Sequence, residues 1–271
     1  MRKNVNYEDR ICLFLDVLGF KDQVNKWVDS PQETGRLHSG LSEIFRAFRD
    51  QLPVQQNDFY TSRKVSQFSD SITVSYDLQE DGAVYYLLND TYLLQIELLK
   101  WGIIVRGGIA IGKLYHDEKL VFGPALIKAV KREKDAKYPR VILDKEIIDI
   151  GKQNHAEGNS PEYEEEAIRS LIRQDFDGAF YIDYFGVSPY NFDKSWKDIV
   201  IYLCTLKKFI ENSINERCPL GIFLKFMWMR NKFNNIIYDL EKNNYDVLCG
   251  WGIPDNEKID FNSLTPIELK E

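Results

Sequence analysis

The stretch ICLFLDVLGF, residues 11–20, restricts the fold more than any other part of the chain. Residues 11–16 form a short apolar run bounded by charge on one side and by Gly19 on the other, which reads as a buried strand. Such a strand needs neighbours, and the sequence downstream supplies them in order. Residues 34–51 place Leu37, Leu41, Ile44, Phe45 and Phe48 at spacings of three and four, an amphipathic helix that ends before Pro53. RKVSQFSDSITVSYD then alternates around Ser69-Asp70-Ser71 and predicts a tight hairpin over 62–76 with Asp70 at its tip. Residues 83–100 are a second long helix.

WGIIVRGGIAIGKLY is a strand whose four glycines permit a bulge or close backbone approach, and it continues into a hairpin through HDEK. Gly123-Pro124 opens another helix, since Pro at an early helical position lacks only an N–H that would have no partner there. YPRVILD adds a strand. The expected fold is therefore α+β, with a ferredoxin-like βαββαβ core. The polar segment 151–166 reads as a surface loop of little chemical interest, and FDGAFYIDYF as a late strand. Residues 195–216 and 219–244 suit a helical hairpin broken at Cys218-Pro219, with an apolar face that either covers the core sheet or forms a subunit contact. Two parts are expected, 1–190 as a catalytic domain and 191–271 as a helical extension packed on it or at a dimer interface.

Composition excludes several function classes. A hydrophobic fraction of 44% and an aromatic fraction of 13% describe a packed globular chain. The net charge of -7 argues against general affinity for a nucleic-acid backbone, though a local cationic pocket is compatible with it. Cys12, Cys204, Cys218 and Cys249 lie too far apart for a C-x-x-C zinc site and are too few for a disulfide scaffold, so a reduced cytoplasm is the plain reading. His38, His116 and His155 provide no paired histidine ligands. The N-terminus lacks an apolar signal region, and the 11–20 run is too short to span a bilayer.

The chemistry rests on two carboxylates. Asp16 ends the first strand and Asp70 sits at a hairpin tip, and they meet if those strands are neighbours in one sheet. An Asp after a strand most often forms a turn or caps a helix. A close pair can instead hold hard divalent cations whose remaining ligands come from a substrate phosphate.

Phe14-x-Asp16-x-x-Gly19-Phe20 resembles the F-x-D-x-x-G-F first strand of class III nucleotide cyclases, and Phe68-Ser69-Asp70-Ser71 resembles their G-D-x hairpin. VRGGIAIG, residues 105–112, is similar to the family's R-x-G-I-x-x-G strand, and FGPALIKAVKRE, residues 122–133, occupies the place of its G-x-x-V-N-x-A-x-R-M-E helix. The resemblance implies that Asp16, Asp70 and the carbonyl of Val17 bind two metal ions, Mn2+ or Mg2+, while amides from Leu18, Gly19 and Phe20 hold the triphosphate. It implies a nucleoside triphosphate substrate and a head-to-tail homodimer with its sites at the interface.

Four positions depart from the purine cyclases, and the first is Ile127, which stands where they have an asparagine. Lys131 stands where the family has its transition-state arginine, with Lys128 and Arg132 nearby. Ser66 and Leu120 stand at the base-reading positions and do not match the adenine-reading pair. With the aspartates kept and the purine readers absent, the chain most resembles the pyrimidine cyclases of the bacterial anti-phage system called Pycsar. That likeness implies conversion of UTP, or else CTP, to the 3′,5′-cyclic monophosphate, and a separate effector that binds the product. An adenylate or guanylate cyclase with a rebuilt base pocket and a catalytically silent nucleotide-binding module are the alternatives.

Overall fold

A computed structural model describes residues 6–32, 34–35, 38–39, 42, 62–186, 196–214, 218–242 and 264–269. The helix expected over 34–51 falls largely outside these residues. The chain divides into two compact units, Met1–Asp183 and Tyr184–Glu271.

In the first unit the elements follow as β1 (Glu8–Val17), α1 (Phe20–Trp27), β2 (Lys64–Phe68), β3 (Ser71–Asp77), α2 (Ala83–Lys100), β4 (Val105–His116), β5 (Val121–Phe122), α3 (Pro124–Ala136), β6 (Val141–Leu143), α4 (Glu146–Gln153), α5 (Pro161–Ser170), β7 (Ile172–Gln174) and β8 (Phe180–Ile182). The sheet runs β2-β3-β1-β4-β6-β8-β7, with β5 paired to the end of β4. Each of its first four strands is antiparallel to its neighbours among them, which is the order and sense of a ferredoxin-like βαββαβ core. The expected α+β core is present, and β1 lies inside the sheet as its apolar run requires.

The two faces of the sheet are used differently. Leu15, Leu13 and Ile11 pair with Ile72, Val74 and Tyr76 of β3, and all six are buried on the face that α2 covers. Tyr76 identifies that face, because its hydroxyl donates to Asp90 Oδ2 of α2 at 2.6 Å. On the opposite face Cys12, Ala110 and Leu114 pack against Ala125 and Ala129 of α3. Gly108 permits this approach: a Cβ there would stand 2.4 Å from the Ala129 carbonyl oxygen and 2.6 Å from the Glu133 nitrogen. Gly107 and Gly108 of β4 thus serve close packing, one of the two uses their sequence suggests.

The segment 151–166 is not a loop. Its ends belong to α4 and α5, and Ser160 caps α5 by accepting from the Tyr163 amide at 3.2 Å. Pro161 occupies the first helical position, and Gly151 is buried where a side chain would collide with Ile168. Asn154 between the helices donates to the carbonyls of Leu78 and Glu80, fixing the turn that leads into α2. The late strand is a hairpin, β7 with β8, whose turn is held by buried Arg140 paired with Asp175 and Asp177.

The second unit contains α6 (Trp196–Ser213) and α7 (Leu220–Lys242), the expected helical hairpin. Phe209 meets Phe226 with ring centroids 5.8 Å apart. Asn234 of α7 exchanges two hydrogen bonds with the Ile267 backbone, at 2.8 and 3.1 Å, and so ties down residues near the C-terminus. No helix among the described residues is long and apolar enough to cross a membrane.

Candidate active site

The register of β1 with β3 pairs Asp16 with Ser71, so the residue after the β2–β3 turn lies directly beside the end of β1. The Val17 amide donates to the Asp70 carbonyl at 3.1 Å, which locks the turn onto that strand end. Asp16 and Asp70 are therefore neighbours although 54 positions separate them in sequence. Ser71 hydrogen-bonds the Asp16 carboxylate.

The pair is electrostatically uncomfortable. Half-burial, then the charges of Asp70 and Glu133, push the Asp16 carboxyl up from 3.8 to about 6. Arg106 and the Ser71 hydroxyl act in the other direction without cancelling this. Arg106, on the neighbouring strand opposite Asp16, donates from Nε to Glu133 Oε1 at 2.5 Å and is drawn towards α3. Excess negative charge at one strand end is what a bound cation would neutralise.

After Asp16 the chain turns sharply. Val17 is buried, the Leu18 amide donates to the Ile104 carbonyl at 2.9 Å, and Gly19 adopts φ 75° before α1 begins at Phe20. Among the described residues nothing would lie within 4 Å of a Cβ on Gly19. Leu18 thus has its N–H engaged within the fold. The N–H groups of the first turn of α1 have no intrahelical acceptor and suit an anion.

Carboxylate oxygens are hard ligands, and the donor set fits a divalent cation. Among the described residues no group of three or more His, Cys, Asp or Glu side chains assembles around one point. A cation at Asp16 and Asp70 would therefore complete its shell with water or substrate oxygens, as Mg2+ does when it binds through one or two carboxylates.

The other expected residues belong to α3, to the β4–β5 turn and to β2. Lys131 and Lys128 are exposed on α3, whose buried side is Ala125, Ala129, Glu133 and Ala136. Arg132 is engaged with Asp144 at 2.6 Å. Leu120 is exposed in the β4–β5 turn. Ser66 on β2 pairs with Thr73, two residues along β3 from Ser71, and so shares the sheet face of Asp16.

Ser66 has a partner that sequence reasoning did not assign. Its hydroxyl lies 2.9 Å from His116 Nε2, and His116 Nδ1 lies 2.7 Å from Ser75 Oγ. Ser75 in turn accepts from Arg10 Nε at 2.9 Å. Burial, aided by the positive charges of Arg10 and Lys64, pushes His116 down to about 4, and Asp117 and Glu8 only partly oppose this. The only signal in the sequence was parity: His116 is even-numbered along β4 with Ala110 and Leu114, the α3-facing side.

No protein-family description matches the sequence, and no curated protein matches it. Solved structures similar in fold include the adenylyl cyclase CyaB from P. aeruginosa, at 11% identity and TM-score 0.45, covering 69% of this chain and 98% of that one. They also include the monomeric guanylyl cyclase domain of the RhoGC fusion protein from the aquatic fungus Blastocladiella emersonii, at 15% identity and TM-score 0.40, covering 65% of this chain and 94% of that one. An adenylate/guanylate cyclase/hydrolase from Silicibacter pomeroyi is similar at 13% identity and TM-score 0.34, covering 65% and 95%.

Proposed function

We propose that this chain is a nucleotide cyclase that converts UTP, or less readily CTP, to the 3′,5′-cyclic monophosphate and pyrophosphate. The observation that carries the reading is the Asp16–Asp70 pair, joined by the β1–β3 register and carrying negative charge that Arg106 offsets only in part, beside the Gly19 turn. In the reaction the ribose 3′-oxygen bonds to the α-phosphorus, the bond from that phosphorus to the β-phosphate bridge breaks, and the hydroxyl proton leaves to solvent. Two divalent cations held by Asp16, Asp70 and the Val17 carbonyl, Mn2+ or Mg2+, would lower the pKa of the 3′-hydroxyl and neutralise the leaving pyrophosphate.

The chain's own contribution is positioning. Asp16 is anchored in a central strand and Asp70 by the Val17–Asp70 backbone bond, which keeps both carboxylates in place without reorganisation. The Gly19 turn and the first amides of α1 receive the triphosphate, with Leu18 supporting the turn from behind. Lys131 projects from the exposed side of α3, which suits a role at the site of a second copy in a homodimer. Ser66 and Leu120 form the base-reading edge. The order of the motifs FLDVLGF, FSDS and VRGGIAIG supports a cyclase, and the absence of the purine-reading pair supports a pyrimidine substrate. The same likeness supports a role in anti-phage signalling through a separate effector that recognises the product.

The test is incubation of the purified protein with each of the four nucleoside triphosphates and Mn2+ or Mg2+, with products separated by chromatography. Cyclic UMP is expected as the main product, absent with Asp70→Ala. A cyclic purine as sole product would overturn the pyrimidine assignment. A wild type as inert as Asp70→Ala, yet still binding nucleotide, would make the chain a silent binding module.

A further inference from the structure

The chain Arg10–Ser75–His116–Ser66 has one consistent arrangement of protons. A guanidinium only donates, so Ser75 Oγ must accept from Arg10 Nε at 2.9 Å. Ser75 is fully buried, and its Oγ has a second neighbour, His116 Nδ1 at 2.7 Å. No other partner of that hydroxyl exists among the described residues, so its proton goes to Nδ1, because a buried donor left unpaired is costly. His116 is then the tautomer protonated at Nε2. A neutral ring is consistent with the burial and the cations that hold His116 near 4. Nε2–H donates to Ser66 Oγ at 2.9 Å, the only hydrogen bond of that hydroxyl among the described residues. Ser66 is thereby left with its own proton unspent. It is only partly buried and lies on the sheet face that carries Asp16.

We infer that His116 is a positioning residue that makes Ser66 a hydrogen-bond donor towards the nucleobase, so that a base presenting a carbonyl oxygen at that edge is preferred over one presenting an amino group. The inference rests on the reading of the site as a nucleotide cyclase and deepens it. Uracil, with its 4-carbonyl, meets the Ser66 proton with an acceptor. Cytosine places an amino group there and leaves the Ser66 proton without a partner. One neutral hydrogen bond corresponds to roughly tenfold discrimination. Arg10 belongs to the same device, since its contacts to Ser75 and Glu8 fix the direction in which the relay starts.

Two measurements test this on the 271-residue chain. Long-range 1H–15N NMR at neutral pH, with His116 identified by loss of its signals in His116→Gln, is expected to show Nε2 protonated and Nδ1 bare. An Nδ1–H tautomer or a charged ring would overturn the relay. Binding of α,β-methylene UTP and α,β-methylene CTP in Mn2+ is then measured by calorimetry beside kcat/KM for UTP and CTP. Both Ser66→Ala and His116→Gln are expected to lower the UTP-to-CTP ratio about tenfold through UTP alone, with CTP values changing less than twofold. Parallel loss for both nucleotides would mean a merely structural role and would sink the proposal. Ser66→Ala, at a partly exposed site, keeps the test alive if His116→Gln folds poorly. If the wild type binds the UTP analogue selectively but turns nothing over, the cyclase reading fails and the base preference stands. If neither analogue binds, both fail.

Discussion

Asp16→Asn should make the protein more stable at pH 8 while removing its metal-dependent activity. The Asp16 carboxyl rises from 3.8 to about 6 because burial and the charges of Asp70 and Glu133 disfavour its ionised form. A rise of that size corresponds to about 3 kcal/mol at full strength. Asp16 is only half buried, so solvent screening reduces the effect to about 1.5 kcal/mol. The folded state holds its proton more tightly than the unfolded chain, so this destabilisation is absent below pH 3.8 and grows as the pH rises through 6. Asn cannot ionise and escapes it. Urea melts followed by circular dichroism in EDTA should give a gap of about 1.5 kcal/mol at pH 8 and about half that at pH 5. Adding Mn2+ in excess should stabilise the wild type and leave Asp16→Asn unmoved, which narrows the gap. An Asn variant no more stable than wild type at pH 8, or a gap independent of pH, would refute the account of the carboxylate pair.

Three further perturbations probe the frame around the site. Gly108→Ala drives a Cβ into the backbone of α3 at Ala129 and Glu133, and should cost about 3 kcal/mol in urea melts. Arg140→Ala leaves the buried Asp175 carboxylate without its cation and should cost about 3–5 kcal/mol, seen as an earlier thermal transition; a loss below 1 kcal/mol would show the pair to be dispensable. His116 resists protonation when folded, so stability should fall as pH drops from 6.5 towards 4, by about 2 kcal/mol, and His116→Gln should flatten that slope in a pH series of melts.

Local pattern carried much of the architecture. The helix expected over 83–100 spans Ala83–Lys100, and the hairpin expected over 62–76 appears as β2 and β3 with Asp70 in the turn. Segment 151–166 misled because its glycines, asparagines and glutamates look like loop residues, whereas Ser160-Pro161 carries a helix-start signal and Gly151 is set by close packing. β7 has only three residues and two of them are exposed, so its strand character comes from pairing with β8 and not from its own alternation. Ser66 stands at a base-reading position by resemblance, but its partner lies 50 residues away on a strand that is not its neighbour in the sheet. Nothing local ties the two.

By itself the sequence determined the order of elements from β2 to β6, the carboxylate at the end of a buried strand and the glycine turn after it, because periodicity and turn chemistry act over a few residues. Only the tertiary structure decided that Asp16 faces Ser71 across the β1–β3 ladder, that Glu133 and Asp70 raise its proton affinity, and that Ser66 meets His116. Those facts depend on strand register, where a slip of one residue would turn each side chain to the opposite face of the sheet.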